Sequence, residues 1–567
     1  MQDRVRIACL HGPLPFRQPS VRPVCVPWGA VGNLSSDLRR RPICLLRCVA
    51  MKTPRVLVLT LVLALCAAIA AGCGSSSGTG GDDDPAALVP ATAPVYVEAV
   101  VRPDGKVRSD LEGALKKVLK TDDPGAKIQK LLDDSGKTDD VSFKDDVEPW
   151  LGDRAGVAIT ALHNKQDADY AVLIASKDDG KAQDLIDKQK GTVKRSYNGT
   201  DYRFDAKENT ATAIVDHRVV IATENGLKAI VDGKDKDHLD QANGLEAVRS
   251  KVAQDRVGLL YVDVQGLLRT VAQQASSDPQ VGAVMQSFSS AAPKTIGAAL
   301  QAQPDSLRVD AVSIGTPKSA TTGGSAADIV ATLPGDSWLG LGVANLGKTL
   351  DNVVQAVAGS GGITGVGVNA LLEQFKKQTS LDLRQDVLGW MGDAGVFVGG
   401  TSSADLGGAL VVKTTDPAKT KRSMAVLKGF AKQSSGGTKV GKLHAGGIDA
   451  GFTVRQASGP PVDVALAGDR FIVAVGGKHV LAQAIHPSRP LSSTPAFTDA
   501  ATKLGSGLKP SFYLDFPQVT KLIEAFAGSD ADFQMAKPYL ETFGAVVAGA
   551  KNEGSGVTRS DFVVSLR

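Results

Sequence analysis

Hydrophobic positions along this chain follow two rhythms, and the rhythms recur in one fixed order, twice. Val95-Tyr96-Val97, Ile214-Val215 and Val219-Val220-Ile221 have the composition of short strands. Leu111-Ala114-Leu115-Val118-Leu119 and Leu371-Leu372-Phe375 keep the i, i+3, i+4 spacing of amphipathic helices. Asp216-His217 and Gly468-Asp469, each between apolar runs, predict tight hairpin turns. Hairpins imply antiparallel pairing, and the helices do not alternate with single strands. The predicted class is therefore α+β, an antiparallel sheet with helices packed on one face.

The order of signals predicts a tandem duplication. Leu88-Val89-Pro90 ahead of Val95-Tyr96-Val97 is matched by Thr332-Leu333-Pro334 ahead of Trp338-Leu339-Gly340-Leu341. Asp146-Val147-x-x-Trp150-x-Gly152-Asp153 recurs at identical spacing as Asp386-Val387-x-x-Trp390-x-Gly392-Asp393. Leu260-Tyr261-Val262-Asp263 is answered by Phe512-Tyr513-Leu514-Asp515, and closing strands at Leu307 to Ile314 and Val557 to Leu566 end the two copies. The expected repeats span 86–315 and 328–567, each with its own core, and the Thr/Gly/Ser/Ala-rich stretch 316–327 reads as the linker.

Ahead of the repeats, residues 51–72 read as an export signal. Lys52 and Arg55 form a positive start, Val56 to Ile69 an apolar stretch, and Ala70-Ala71-Gly72-Cys73 a small-residue cleavage site that ends in cysteine. That ending resembles the lipobox of bacterial lipoproteins, which implies a lipid on Cys73 and a mature chain that begins there. About 14 apolar residues fall short of the roughly 20 that span a bilayer as a helix. Residues 1–50, rich in Arg, Pro and Cys and without a sustained period, read as an over-extended, disordered start ahead of Met51. Residues 73–85, Gly/Ser-rich and then acidic, read as a flexible tether.

Composition sharpens this picture. The six cysteines are Cys9, Cys25, Cys44, Cys48, Cys66 and Cys73, so an exported body without a disulfide framework relies on its cores. Of 64 Lys+Arg and 60 Asp+Glu, residues 1–72 hold 10 and 2, which leaves 54 basic against 58 acidic residues and a net charge of −4 from Cys73 onward. The +4 of the whole chain is thus no nucleic-acid footprint. Aromatic residues at 5% are too sparse for stacking platforms.

The exported start, the L-P opening before a V-Y-V strand and the D-V-x-x-W-x-G-D segment together resemble the bacterial family gathered as domain of unknown function 3352, over most of residues 86–567. The resemblance implies an extracytoplasmic location and this architecture. It brings no reaction, catalytic residue or cofactor.

Candidate chemistry is thin. Trp150 with Asp153, and Trp390 with Asp393, would be equivalent binding positions if the indoles stack on a ligand, or core anchors if Gly-Asp merely turns the chain. The packing reading is preferred, since a large aromatic beside a turn normally serves a core. His163 aligns with Ser402 and His217 with Asp469, which excludes a repeated histidine site. Asp235-Lys236-Asp237-His238-Leu239-Asp240 lacks the glycine and terminal glutamate of a calcium loop, and Gly359 to Gly367 lacks the Lys-Ser/Thr of a phosphate loop. Gly74 to Gly78 spells G-x-S-x-G inside the tether, without the strand and helix that a nucleophile elbow requires. No catalytic set, metal site or cofactor is expected. The sequence points to a non-enzymatic binding or scaffold role, held to the membrane through the Cys73 lipid, with an envelope protein or wall component as partner. An apolar-ligand carrier is the alternative, an exported hydrolase the lesser one, and the sequence sets no oligomeric state.

Overall fold

The computed structural model describes residues 84–136, 141–164, 167–233, 237–274, 289, 292–316, 326–359, 368–402, 404–433 and 438–567. Residues 1–72 with the expected export signal, Cys73, the expected tether to residue 83, the expected linker positions 317–325, Asp235, Lys236 and the glycine-rich 360–367 lie outside them. The first half contributes β1 (Val95–Val100), β2 (Leu151–Asn164), β3 (Asp167–Ser176), β4 (Val193–Tyr197), β5 (Thr200–Asp205), β6 (Thr210–Val215), β7 (Arg218–Thr223), β8 (Gly258–Asp263), β9 (Thr295–Gln303) and β10 (Ser306–Ile314). The second contributes β11 (Ser337–Val343), β12 (Met391–Gly399), β13 (Gly407–Thr414), β14 (Lys439–Lys442), β15 (Ala450–Arg455), β16 (Val462–Ala467), β17 (Arg470–Val475), β18 (Phe512–Asp515), β19 (Phe543–Gly554) and β20 (Val557–Leu566).

Together they form a 20-stranded antiparallel sheet. From one edge the order is β4-β5-β6-β7-β3-β2-β1-β8-β9-β10. It continues as β20-β19-β18-β11-β12-β13-β17-β16-β15-β14. The second run mirrors the first, strand for strand, about the β10–β20 pair. Both expected hairpins are present: Asp216 and His217 take φ of 47° and 57° between β6 and β7, and Gly468 takes 58° between β16 and β17. Positive φ at such turns matches the twist of the strands they join.

The α+β class with an antiparallel sheet is what the structure has, but its layering differs from the single helical face expected. Ala171 and Leu173 of β3 pack with Leu227 and Ile230 of the helix Glu224–Gly233, while Val172 and Ile174 pack with Trp150 and with Ala182 and Ile186 of the helix Asp179–Asp187. Successive residues of a strand point to opposite faces, so helices cover both. The uninterrupted buried run Ala171 to Ala175 is the sequence signal for this, since a strand with one wet face alternates. The second half repeats the arrangement, with Val411 against Leu481 on one face and Val412 against Trp390 on the other.

The halves also share more than a boundary. Leu111, Ala114, Val257 and Ala302 of the first half pack with Leu566 and Phe543 of the second, so the expectation of two separate cores gives way to cores linked by a shared one. At its start, the folded body takes in Asp84 and Pro85, which the sequence assigns to the tether. Pro85 begins the 3-10 turn Pro85–Leu88 and is buried. Thr316, read as the start of the linker, is tied into the fold by its N–H to the Gly556 carbonyl at 2.8 Å.

Candidate functional site

The duplicated tryptophan segments are built alike. Each is preceded by a π-type turn, Phe143–Val147 or Leu383–Leu388, closed by an aspartate that accepts an upstream amide: Ser142 N to Asp146 Oδ2 at 2.9 Å, Asp382 N to Asp386 Oδ2 at 2.8 Å. Trp150 and Trp390 are both buried. The Trp150 indole donates to the Asp146 carbonyl at 2.7 Å, whereas Trp390 donates to Ser423 Oγ at 3.1 Å and that hydroxyl donates to the Asp386 carbonyl at 3.0 Å. Phe471 meets Trp390 edge-on at 5.2 Å. The glycine of the motif is required by close approach, because a Cβ on Gly152 would lie 2.8 Å from the Ala175 carbonyl oxygen and one on Gly392 2.8 Å from that of Lys413. The indoles therefore hold cores, with no face open for stacking.

The motif aspartates do not converge with them. The Asp153 carbonyl accepts from Val101 N, and Asp393 Oδ1 accepts from Asn345 N at 2.8 Å. Asp393 borders a cavity of about 280 Å³ together with Asp328, Thr332, Lys413, Asp469 and Arg470, a mixed-charge recess on the face that carries Leu333 and Ala484. Two histidines pair with carboxylates. His217 Nδ1 meets Asp179 Oδ2 at 2.7 Å, and His163 meets Asp169, whose carboxylate raises the imidazole pKa. Among the described residues, no group of three His, Cys, Asp or Glu side chains is placed to hold a metal.

Two features that sequence reading missed lie at the centre of the sheet. The first is a buried charge cluster. Asp310 of β10 and Asp561 of β20 are register partners, and each is clasped by the arginine two residues before the other: Arg308 Nη2 reaches Asp561 Oδ2 at 2.6 Å, Arg559 Nη1 reaches Asp310 Oδ1 at 2.8 Å. A backbone amide also donates to each carboxylate, Ala253 N to Asp310 Oδ2 at 2.8 Å and Gly505 N to Asp561 Oδ2 at 2.6 Å, while Asp561 Oδ1 is buried without a hydrogen-bond partner. Burial pushes the Asp561 carboxyl up, against the pull of the Gly505 amide and Arg308.

The second feature is the reverse side of the same strands. Leu300, Val309, Phe562, Ala548, Phe512, Leu341 and Val396 are successive register partners across β9, β10, β20, β19, β18, β11 and β12, an unbroken apolar row. Beside it Val97, Leu260, Ala298 and Ala311 form a second run. Although flanked by helix-covered cores, this floor is open: Val97 is 42% exposed, Leu300 41%, Leu341 40% and Phe562 42%. Glu98, Arg308, Asp310, Arg559 and Asp561 alternate with these positions and so project to the opposite, covered face. Charge lies on the dry side and bare hydrocarbon on the wet side, the inverse of a sheet patterned for water on one face. The signal available in sequence was the alternation of apolar residues with Arg308 and Asp310 in Leu307 to Ile314.

Comparison with known proteins adds the following. No curated protein matches the chain. Crystal forms I and III of TP0453 are similar at 12% and 14% identity, cover 41% of this chain and 80% and 81% of their own, and superpose with TM-scores of 0.24 and 0.23. The family described as "Protein of unknown function (DUF3352)" matches residues 56–566. By that match, which spans both halves of the sheet, the chain belongs to the DUF3352 family.

Proposed function

We propose that this protein is a lipid-anchored, extracytoplasmic and non-enzymatic envelope protein whose two halves arose by duplication, and that it holds acyl chains on the open central floor of its sheet. The observation that carries this reading is the unbroken row from Leu300 to Val396, with the exposed Phe562 within it. Contiguous exposed hydrocarbon of this kind on a folded protein marks a binding surface, and about 25 cal/mol is gained per Å² that a ligand removes from water. An acyl chain suits a floor with no charged group to satisfy. The charged recess beside Asp393 lies on the other face and fits such a ligand poorly. The Gly/Ser-rich stretch after Cys73 supports the anchoring part of the reading. Native mass spectrometry of the protein released from its own membranes tests the proposal: co-purifying lipid of defined mass is expected, and a ligand-free spectrum from several growth conditions would count against it.

A further inference from the structure

The open floor is longer than one ordinary acyl chain. From Val97 on β1 to Val396 on β12 it crosses β1-β8-β9-β10-β20-β19-β18-β11-β12, and strand spacings of about 4.8 Å make that path about 38 Å. An extended chain of about 16 carbons, with bonds of about 1.5 Å at about 111°, reaches about 19 Å, half of it. The path also divides in two. Its halves meet at the β10–β20 pair, where Val309 and Phe562 are register partners. One arm runs from there over β9 and Leu260 to Val97, the other over Ala548 and Phe512 to Leu341 and Val396. Each arm is stopped by a tryptophan core on the same face. Val157, the register partner of Val97, packs against the cluster of Trp150, and Leu410, the partner of Val396, against that of Trp390.

Polar groups edge the floor where the arms meet. Val262, Ile296, Ser313, Thr558 and Asn552 are successive register partners across β8, β9, β10, β20 and β19, a row that turns from apolar to polar at the junction. Ser560, the partner of Ala311, lies on the same face between this row and Phe562. We infer that the floor takes one lipid with two acyl chains, one laid along each arm, with the ester and headgroup region at the Ser313, Thr558 and Ser560 hydroxyls. The inference rests on the acyl-chain reading proposed above. Two linked chains fill a path that one leaves half bare, and the second chain binds as an intramolecular event once the first is seated. Esters and a headgroup need polar partners, which the junction supplies, whereas the far ends of the arms meet tryptophan cores.

Native mass spectrometry of the full protein with palmitate, monopalmitoyl-phosphatidylglycerol or dipalmitoyl-phosphatidylglycerol tests this. Val97→Asp and Leu341→Asp block one arm each, at side chains that are already exposed. The parent is expected to hold two palmitates or one dipalmitoyl lipid, and to bind the two-chain lipid about tenfold or more tighter than the one-chain form. Each variant is expected to keep one palmitate, which also reports an intact fold, and to lose the preference for two chains. A single palmitate in the parent, or equal affinity for one-chain and two-chain lipids, would overturn the inference and leave the acyl-chain reading standing. Loss of both palmitates from either variant, with melting unchanged, would do the same. A parent that binds none of the three would overturn both.

Discussion

Asp310 and Asp561 face one another across the β10–β20 pair, each bound by the arginine that precedes the other, Arg559 to Asp310 and Arg308 to Asp561. The register places an approximate twofold axis between them. Two carboxylates this close are tolerated because two guanidinium groups and two amides surround them. The join between the halves is therefore a buried reciprocal ion pair, in which removing one member leaves its partner's charge uncompensated.

Asp561→Ala should cost about 3–5 kcal/mol, since Arg308 keeps a desolvated charge without its carboxylate. Asp305→Ala, which removes the exposed partner of Lys503 across the same junction, should cost no more than about 1 kcal/mol. Urea denaturation of both variants checks the ranking. Equal losses would mean the buried pair is not the joint.

Replacing Trp150 or Trp390 with Ala should destabilise by about 3–5 kcal/mol through lost burial and a residual cavity. Because one sheet and one cluster cross the junction, each substitution should shift a single cooperative calorimetric transition. Two resolved transitions, of which only one moves per variant, would restore the picture of independent repeats.

How much of this was legible in the sequence depends on how local each feature is. The Trp-x-Gly-Asp segments, the hairpins and the closing strands were readable because a few neighbouring residues specify them: Gly152 and Gly392 answer to a carbonyl on the adjacent strand, and Asp216-His217 to a turn. Arg308-Val309-Asp310 and Arg559-Ser560-Asp561 occupy matching places in the two closing strands, so the raw signal was present. Their pairing was hidden, because nothing in a single chain fixes the register of strands about 250 residues apart. The open floor was hidden for a related reason. Apolar alternation marks Leu300 and Phe562 as facing one way, and only the folded structure shows that both stand exposed.

Acid should act on the fold through Asp84. Burial works to raise its pKa, but the hydrogen-bonded Arg249 guanidinium outweighs burial and holds it below the usual carboxylate range. A lowered folded-state pKa contributes stability that is complete above the unfolded value, about 3.9, and is lost as pH falls through the folded one. Asp84→Asn should therefore lower stability at pH 7 and converge with the parent protein at the acid end. Asp561, raised by burial, slopes the opposite way: its contribution favours the fold at low pH and fades as pH rises through its folded value. A stability curve for Asp84→Asn that runs parallel to the parent at all pH values would contradict this assignment.

Anchoring makes a prediction in cells. Cys73→Ser should abolish metabolic labelling by fatty acid, and a gene begun at Met51 should still be exported and labelled. Labelling that survives the substitution would refute the lipobox, and a requirement for residues 1–50 would refute the internal start.

The floor itself is tested most directly by titrating a fluorescent fatty acid into the purified protein and into Phe562→Asp, with Val193→Asp on the edge strand β4 as the control. Phe562 is already exposed, so its replacement should leave melting nearly unchanged while placing a charge within the apolar row. Binding should weaken by about tenfold or more, a loss of about 1.4 kcal/mol or greater, and the control should bind as the parent does. Undiminished affinity in Phe562→Asp would show that acyl chains do not bind on this floor.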